Sequence, residues 1–369
     1  MIKLTLVVGA RPNFMKISPI IHEINKINLN GRKIDFRLVH TGQHYDKLMS
    51  DNFFEQLNIP LPDINFNCSA KTQTEQTSCI MVEFEKELTN NKPDCVIVVG
   101  DVNSTMACAI VAKKLNIDVA HIEAGIRSND RSMPEEINRL LTDSISDYFF
   151  TTSEFANKNL VNENISKNKI FFVGNTMIDC LVNNLKHVIK PDIEIFEKIK
   201  NPKYFILTLH RPSNVDDLYK LNNILKIIDD NTENTPILFP IHPRTQKNLN
   251  NFGYKFKNIK IIEPQKYLEF IFLIKNSMGI ITDSGGITEE STFLNIPCLT
   301  LRNSTERPET VEYGTNILIG DNFELLKKSI KTIIDGKWKT GKVPELWDGL
   351  TSKRIINHIL KIYEIKKNN

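Results

Sequence analysis

Short apolar runs alternate with longer amphipathic stretches along the whole chain. Each run is rich in β-branched or aromatic residues and is followed by a segment whose apolar positions recur with helical spacing. This alternation predicts an α/β fold of parallel strands covered by helices, because buried parallel strands are apolar on both faces. The predicted strands are LTLVVG, FRLVH, CVIVVG, VAHIE, YFFTT and IFFVG, then YFILTL, ILFPI, IKIIE, GIITD, CLTL and NILIG.

The pattern restarts after Gly174, and 369 residues exceed what one core usually organises. We therefore predict two Rossmann-like domains joined by a linker between Asn175 and Pro202. The first domain comprises residues 1–178, with a C-terminal helix in 352–369 packing back on it, and the second comprises 179–351. Open parallel sheets bind ligands at the carboxyl ends of their strands, so we expect a ligand in the cleft between the domains.

Charge and composition exclude several classes of protein. The net charge of +3 arises from 47 basic and 44 acidic residues spread along the chain, which does not indicate a nucleic-acid-binding surface. No apolar stretch approaches the roughly 20 residues of a membrane-spanning helix, and we expect a cytoplasmic protein. Six cysteines are scattered without CxxC spacing, so we expect free buried thiols and neither a disulfide nor a metal site.

The most specific polar motif is TDSGGITEE, which follows a predicted strand and opens a predicted helix. Backbone N–H groups of Ser284, Gly285 and Gly286, together with the helix dipole, would form a phosphate cradle. Glu290 lies within the next helical turns, where a carboxylate can accept both hydroxyls of a ribose. The motif therefore predicts a nucleotide diphosphate site, which the polar loop STERPE, with Glu306 and Arg307, would extend.

Acidic and basic residues also follow the predicted strands of the first half. Arg11 and Lys16 in GARPNFMK lie near a helix N-terminus, which favours an anion, whereas Asp101 in VVGD is equally consistent with a helix cap. Glu123 directly follows an apolar run. The motif MPEEINR places Glu135 four residues before an arginine, which is also the spacing of a surface ion pair. In the second half HRPSN and IHPR each bring a histidine and an arginine together, either as an anion site or as capped structural residues.

These motifs carry a family resemblance. GARPNFMK, TGQH, VVGD, HIEAGIRS, MPEEINR, GNTMID, HRPSN, IHPR, TDSGGITEE and STERPE follow one another as in the non-hydrolysing UDP-N-acetylglucosamine 2-epimerases, which the chain resembles over nearly its whole length. The resemblance implies the GT-B fold, two Rossmann-like domains with an interdomain cleft, and no nicotinamide, metal or other cofactor. It implies that UDP-N-acetylglucosamine and UDP-N-acetylmannosamine interconvert by elimination and re-addition of UDP through a 2-acetamidoglucal.

The resemblance also assigns roles to individual positions. The implied catalytic residues are Asp101, Glu123, Glu135 and His210. The residues expected to bind substrate are Arg11, Lys16, Arg139, Phe270, Ser284, Gly285, Gly286, Glu290, Glu306 and Arg307. Many bacterial relatives bind a second UDP-sugar as activator, through positions that match Gln43, His44, Glu136, Arg211 and His242. The segments HRPSNVDD and TGQHYD differ from the sequences of many relatives, which leaves this activation open. The expected assembly is a homodimer.

Alternative functions share parts of this pattern. A 2-epimerase of a modified UDP-sugar, such as a diacetamido-uronate or a 6-deoxy amino sugar, would use the same chemistry at C2. A GT-B glycosyltransferase would share the fold, although the chain lacks the apolar run expected of an acceptor surface facing a membrane. A hydrolysing 2-epimerase usually has a different first-loop motif, and a non-catalytic UDP-sugar sensor would be expected to lack the three carboxylates.

Overall fold

The protein is described here by a computed structural model that covers residues 1–31, 33–43, 54–198, 203–249 and 255–368. The chain divides into two compact units. Unit 1 comprises Met1–Asn183 together with Glu345–Asn369, and unit 2 comprises Asn184–Pro344.

Unit 1 is built on a parallel sheet of seven strands in the order β3-β2-β1-β4-β5-β6-β7. Its strands are β1 (Ile2–Val8), β2 (Ile34–His40), β3 (Ile64–Asn65), β4 (Cys95–Val99), β5 (Asp118–Ala124), β6 (Tyr148–Thr151) and β7 (Ile170–Phe172). The helices that follow them are α1 (Arg11–Asn28), α2 (Gln73–Asn90), α3 (Asn103–Lys114), α4 (Pro134–Ile145), α5 (Glu154–Asn162) and α6 (Thr176–Asn184). The C-terminal α15 (Thr351–Asn368) packs against α1.

Unit 2 repeats this architecture with six parallel strands in the order β10-β9-β8-β11-β12-β13. Its strands are β8 (Phe205–Thr208), β9 (Ile237–Pro240), β10 (Ile259–Ile262), β11 (Gly279–Thr282), β12 (Cys298–Thr300) and β13 (Asn316–Leu318). Its helices are α7 (Glu194–Lys198), α8 (Pro212–Val215), α9 (Leu218–Asn231), α10 (Pro243–Leu249), α11 (Tyr267–Asn276), α12 (Gly285–Phe293), α13 (Pro308–Glu312) and α14 (Phe323–Ile334). Both orders are doubly wound, so the strand order reverses beside the first strand of each unit.

Local sequence explains where the helices begin. Thr72 caps α2 by accepting the N–H of Glu75 at 3.2 Å, while the Glu75 carboxylate accepts the N–H of Thr72 at 3.3 Å. Asp217 caps α9 by accepting the N–H groups of Tyr219 at 2.9 Å and Lys220 at 3.1 Å. The stretch expected to be a linker is partly helical, since it contains α6 and α7. Among the described residues, no helix combines the length and apolar character that crossing a bilayer requires.

The expectation that all cysteines are free is wrong for one pair. Cys68 and Cys79 form a disulfide, with their Cα atoms 5.7 Å apart. The N–H of Cys68 donates to the Thr41 carbonyl at 2.9 Å, which holds the β3–α2 connection against the end of β2, and Cys79 lies on α2. The free and buried cysteines are Cys95, Cys108, Cys180 and Cys298.

Candidate active site

The end of β4 carries Asp101, whose carboxylate contacts a buried arginine. Arg139 donates from one terminal nitrogen to Asp101 Oδ2 at 2.5 Å and from the other to Glu136 Oε2 at 2.7 Å. Asn138, the preceding residue of α4, donates to the Asp101 carbonyl at 2.9 Å. Two neighbouring residues of one helix therefore hold both the main chain and the side chain of Asp101.

The end of β5 carries Glu123 in a second carboxylate–cation pair. Lys16 Nζ lies 2.6 Å from Glu123 Oε2, and the Glu123 side chain is only 8% exposed. Glu123 has a φ of 73°, and the register of β5 against β6 shifts between Ile122 and Ala124. A left-handed conformation at a non-glycine residue costs about 1–3 kcal/mol and persists where surrounding contacts enforce it, which points to a functional residue.

The two glutamates of MPEEINR differ in their surroundings. Glu136 is buried and accepts the N–H groups of Ser128 at 2.8 Å and Asn129 at 3.0 Å. Burial alone would raise the pKa of Glu136, but these N–H groups and Arg139 outweigh it and lower the pKa. Glu135 is exposed, and its carboxylate has no ion-pair partner within the described part of the chain. Arg139 thus pairs with Asp101 and Glu136 rather than with Glu135 four residues earlier.

The GARPNFMK loop is fixed by Asn13. The Asn13 side chain accepts the N–H groups of Gly9 at 3.1 Å and Ala10 at 2.9 Å, and it donates to the Val99 carbonyl at 3.1 Å. A Cβ at Gly9 would stand 2.0 Å from Ser104 Oγ, so only glycine allows β1 to end against α3. Arg11 begins α1 in this loop.

The TGQH motif contacts the same helix. Gln43 Oε1 accepts from the backbone N–H of Ser104 at 3.2 Å and from its hydroxyl at 2.8 Å, and Gln76 of α2 donates to the Gln43 carbonyl at 3.1 Å. Gln76 in turn accepts from Asn103 at 3.0 Å. Gln43 therefore joins α2 to the N-terminus of α3, whereas His44 lies outside the described residues.

In unit 2, His210 follows β8 and pairs with a fully buried carboxylate. His210 Nδ1 lies 2.8 Å from Asp283 Oδ1, and the backbone N–H groups of His210 and Arg211 donate to the same carboxylate. Asn214 adds a donor at 3.3 Å. Burial would raise the pKa of Asp283, but its contacts with His210 and with the backbone N–H groups lower it. Asp283 thereby fixes the orientation of a histidine ring that is 42% exposed.

The second histidine of unit 2 lies close to the first. The ring centroids of His210 and His242 are 5.9 Å apart, and burial together with the charge of His210 lowers the pKa of His242. His242 Nδ1 accepts the backbone N–H of Arg244 at 3.2 Å. The guanidinium of Arg244 is held by Asp216 at 2.8 and 2.5 Å. Arg211 is half-buried beside them.

The SGG motif opens α12 as its spacing predicts. Ser284 is the N-cap residue with an extended backbone, and Gly285 and Gly286 form the first turn. A Cβ on Gly286 would meet nothing within 4 Å, so the space over this turn is open. Glu290 is buried on the same helix, and Phe270 of α11 is half-buried. An open turn of N–H groups at a helix start suits a phosphate group.

Both polar residues predicted in STERPE form buried ion pairs. Glu306 accepts two hydrogen bonds from Arg302, at 2.8 and 2.6 Å, and Arg307 pairs with Glu289 of α12. The Arg302 terminal nitrogen lies 3.6 Å from where a Cβ on Gly285 would stand. These pairs therefore place one guanidinium directly beside the SGG turn.

No group of three or more metal-ligating side chains occurs in the parts of the chain that the structure describes. Carboxylates and cations lie at the strand ends of unit 1, and a histidine and main-chain donors lie at those of unit 2. The first set can exchange protons, and the second can hold an anion.

Comparison with known proteins identifies the family. A family model described as UDP-N-acetylglucosamine 2-epimerase matches residues 27–360. The chain belongs to this family.

Individual relatives agree over almost the full length. A UDP-N-acetylglucosamine 2-epimerase of Methanocaldococcus jannaschii is 48% identical over 366 residues, covering 96% of this chain and 98% of the relative. A crystal structure of the M. jannaschii UDP-GlcNAc 2-epimerase in complex with UDP-GlcNAc and UDP superposes with a TM-score of 0.84 at 47% identity, covering 97% and 99% of the two chains. A UDP-2,3-diacetamido-2,3-dideoxy-D-glucuronate 2-epimerase of Pseudomonas aeruginosa is 36% identical over 363 residues, covering 98% and 100%. The family resemblance, the GT-B-type α/β fold and the epimerase class are confirmed.

Several residues of these networks were not predicted from the sequence. Asp283 directly precedes Ser284 in TDSGG, and its position at the end of a predicted strand could have identified it as a site residue. Arg302 follows β12 and could have been found by the same rule. Asn13 and Asn138 carry no such signal, because an asparagine that fixes a loop is indistinguishable in sequence from a surface residue.

Proposed function

We propose that the chain interconverts UDP-N-acetylglucosamine and UDP-N-acetylmannosamine by inverting C2 through elimination and re-addition of UDP. The observation that carries this proposal is a pair of carboxylates at adjacent strand ends of unit 1, each in contact with a cation. These are Asp101 with Arg139 and Glu123 with Lys16. Carboxylates at such positions can exchange a proton with a sugar carbon.

The chemistry requires both a base and a leaving-group site. The C2 proton of the sugar is weakly acidic, so its removal must accompany departure of UDP from C1, which yields a 2-acetamidoglucal. Asp101 and Glu123 would serve the two faces of C2, one accepting a proton and the other donating one, and the roles exchange when the reaction reverses. Glu135, exposed at the start of α4, is the third proposed acid, and Arg139 and Lys16 complete the polar lining.

Unit 2 would hold the nucleotide during this exchange. In this proposal the N–H groups at Ser284, Gly285 and Gly286 bind the diphosphate, and His210, whose ring Asp283 orients, lies beside it. Glu290 binds the ribose and Phe270 lies against the uracil. Arg11 contributes from unit 1, and the buried pairs of Glu306 and Arg307 stabilise the wall beside the SGG turn. The proposal involves no cofactor or metal.

Activation by a second UDP-sugar is a further part of the proposal. The M. jannaschii structure contains both UDP-GlcNAc and UDP, which supports room for two nucleotides in that relative. The activator residues would be Gln43, His44, Glu136, Arg211 and His242. Glu136 and Asp101 both contact Arg139, so an activator that binds near Glu136 could affect Asp101 through this arginine. UDP-N-acetylmannosamine turnover should then rise when a trace of UDP-N-acetylglucosamine is added, and unchanged turnover would contradict activation.

We also propose a homodimer through the helical layer of unit 1. Helices α2, α3 and α4 pack side by side, and exposed apolar side chains project from two of them. These are Val82 on α2 and Ile137 and Leu141 on α4. Light scattering should give twice the mass of 42.4 kDa, and a monomer at micromolar concentration would contradict the proposal. Placement in the cytoplasm stays a prediction.

The P. aeruginosa relative supports one alternative substrate, a UDP-diacetamido-uronate. Proton NMR of the purified enzyme with each UDP-sugar in turn separates the two functions. We expect a new C2 epimer to form from UDP-N-acetylglucosamine and none from the diacetamido-uronate. The opposite selectivity would support the alternative, and absence of an epimer from either sugar would contradict the proposed reaction.

A further inference from the structure

A buried imidazole lies next to the strand ends that carry the two proposed catalytic carboxylates. His121 is on β5, two residues before Glu123, and is 1% exposed. Its Nδ1 lies 2.7 Å from Asp143 Oδ1, and its Nε2 lies 2.8 Å from the carbonyl oxygen of Gly100, the residue before Asp101. The ring therefore joins the strand end that carries Asp101 to helix α4.

Both ring nitrogens of His121 contact an oxygen atom, one from a side chain and one from the main chain. The Asp143 carboxylate also accepts the Gly125 N–H at 3.0 Å and contacts the Arg127 guanidinium at 2.8 Å. His121 and Asp143 therefore link the ends of β4 and β5 to helix α4.

Asp143 also contacts a buried arginine. Burial would raise the pKa of Asp143, but His121 and Arg127 outweigh it and lower the pKa of Asp143. Arg127 in turn forms a two-bond pair with Glu163, at 2.7 and 2.5 Å. Asp143 and Arg127 are buried whereas Glu163 is exposed, so in this cluster Asp143 is the interior carboxylate that both His121 and Arg127 contact.

The cluster contacts both turns that present the proposed catalytic carboxylates. His121 holds the peptide between Gly100 and Asp101 through the Gly100 carbonyl, where Gly100 has a φ of +70°. Asp143 holds Gly125, which follows the left-handed turn at Glu123, through its N–H. One imidazole–carboxylate pair is therefore bonded to the main chain on both sides of the site.

We propose that His121 and Asp143 are positioning residues for the epimerisation, which together fix the directions of Asp101 and Glu123. The contacts of this pair are seen in the structure, and their effect on turnover rests on the proposed function. Neither residue touches the substrate. Since unit 2 holds the nucleotide in our proposal, loss of the pair slows proton exchange at C2 and leaves nucleotide affinity unchanged.

The test compares two histidine replacements in unit 1. His121→Gln retains one donor, and His358→Gln is the matched control, because His358 on α15 is a half-buried histidine that packs against Phe171. We expect His121→Gln to lower kcat at least about tenfold with KM and the Kd for UDP within twofold, whereas His358→Gln retains the kcat of the unmodified enzyme. An unchanged kcat in folded His121→Gln would overturn the proposal.

Two further measurements keep the test decisive. Asp143→Asn retains the size of the side chain and should give the same split between kcat and KM if His121→Gln does not fold, so an unchanged kcat there would also overturn the proposal. A crystal structure of His121→Gln should show the peptide between Gly100 and Asp101 displaced from its position in the unmodified enzyme, and an unmoved peptide would overturn the proposal. This second readout remains valid even if the unmodified enzyme inverts no UDP-sugar, in which case the proposed function fails separately.

Discussion

The strand ends of the two units use charge in different ways. In unit 1, Asp101 contacts the buried Arg139, and Glu123, whose side chain is 8% exposed, contacts Lys16. In unit 2, the buried carboxylate of Asp283 accepts the backbone N–H groups of His210 and Arg211 and contacts the His210 ring, while the predicted phosphate cradle consists of main chain at Ser284 and two glycines. In the proposed function, the side chains that exchange protons and the main-chain groups that bind the anion therefore belong to different units, so we expect that a substitution can remove one function without the other.

Replacing the Asp101 carboxylate of unit 1 should have the largest effect on turnover. We expect Asp101→Asn to lower kcat at least about 10²-fold, because an amide cannot accept the proton, while the Kd for UDP stays unchanged. Steady-state kinetics and calorimetry measure the two quantities. Asp335→Asn, an exposed position of unit 2, is the control, and near-normal turnover in Asp101→Asn would remove it from the catalytic set.

The disulfide of unit 1 should contribute to the free energy of unfolding. Cys68→Ser should lower the free energy of unfolding by about 2–3 kcal/mol, because the bond closes a loop with a sequence separation of 11 residues. Cys79→Ser should cost the same, and the double variant should cost no more than either. Denaturant titration with and without reductant measures this. If reductant leaves the unmodified enzyme unchanged, the bond does not stabilise the protein.

Removing the proposed ribose acceptor tests unit 2. Glu290→Ala should weaken UDP binding at least about tenfold, since one hydrogen bond to a charged group contributes about 1.5–3 kcal/mol. Calorimetry with UDP gives the Kd, and Glu324→Ala, an exposed position of α14, serves as control. An unchanged Kd in the Glu290 variant would refute the ribose role.

The smallest expected effect is the acid sensitivity that Asp283 contributes. Its pKa is lowered in the folded protein, so its stabilisation is present above the ordinary value of about 3.9 and is lost as the pH falls through the folded value. We expect the free energy of unfolding to fall below about pH 4, and to fall less steeply in Asp283→Asn. Equal slopes in the two proteins would contradict this role.

The architecture was readable from the sequence because apolar periodicity is local. All twelve predicted strand segments correspond to strands, and the SGG turn begins a helix as expected. Strand β3 was missed, since Ile64–Asn65 is too short to show a pattern. The Cys68–Cys79 bond was also missed, because it depends on the path of the chain between β3 and α2.

The partners of the site residues could not be read from spacing. The i,i+4 spacing of Glu135 and Arg139 indicates an ion pair, yet Arg139 contacts Asp101, which lies 38 positions away. The role of His121 in β5 was hidden for the same reason, since an apolar strand with one histidine predicts only a buried ring. Side-chain networks join residues distant in sequence, and the order of strands in the sheet decides which of them meet.

Proton exchange at C2 tests the central claim most directly. The purified enzyme is incubated with UDP-N-acetylglucosamine in heavy water, and the recovered sugar nucleotides are analysed by NMR and mass spectrometry. The account predicts one deuterium at C2 in both epimers, and a much slower exchange in Asp101→Asn. Formation of UDP-N-acetylmannosamine that retains the original C2 hydrogen would contradict it.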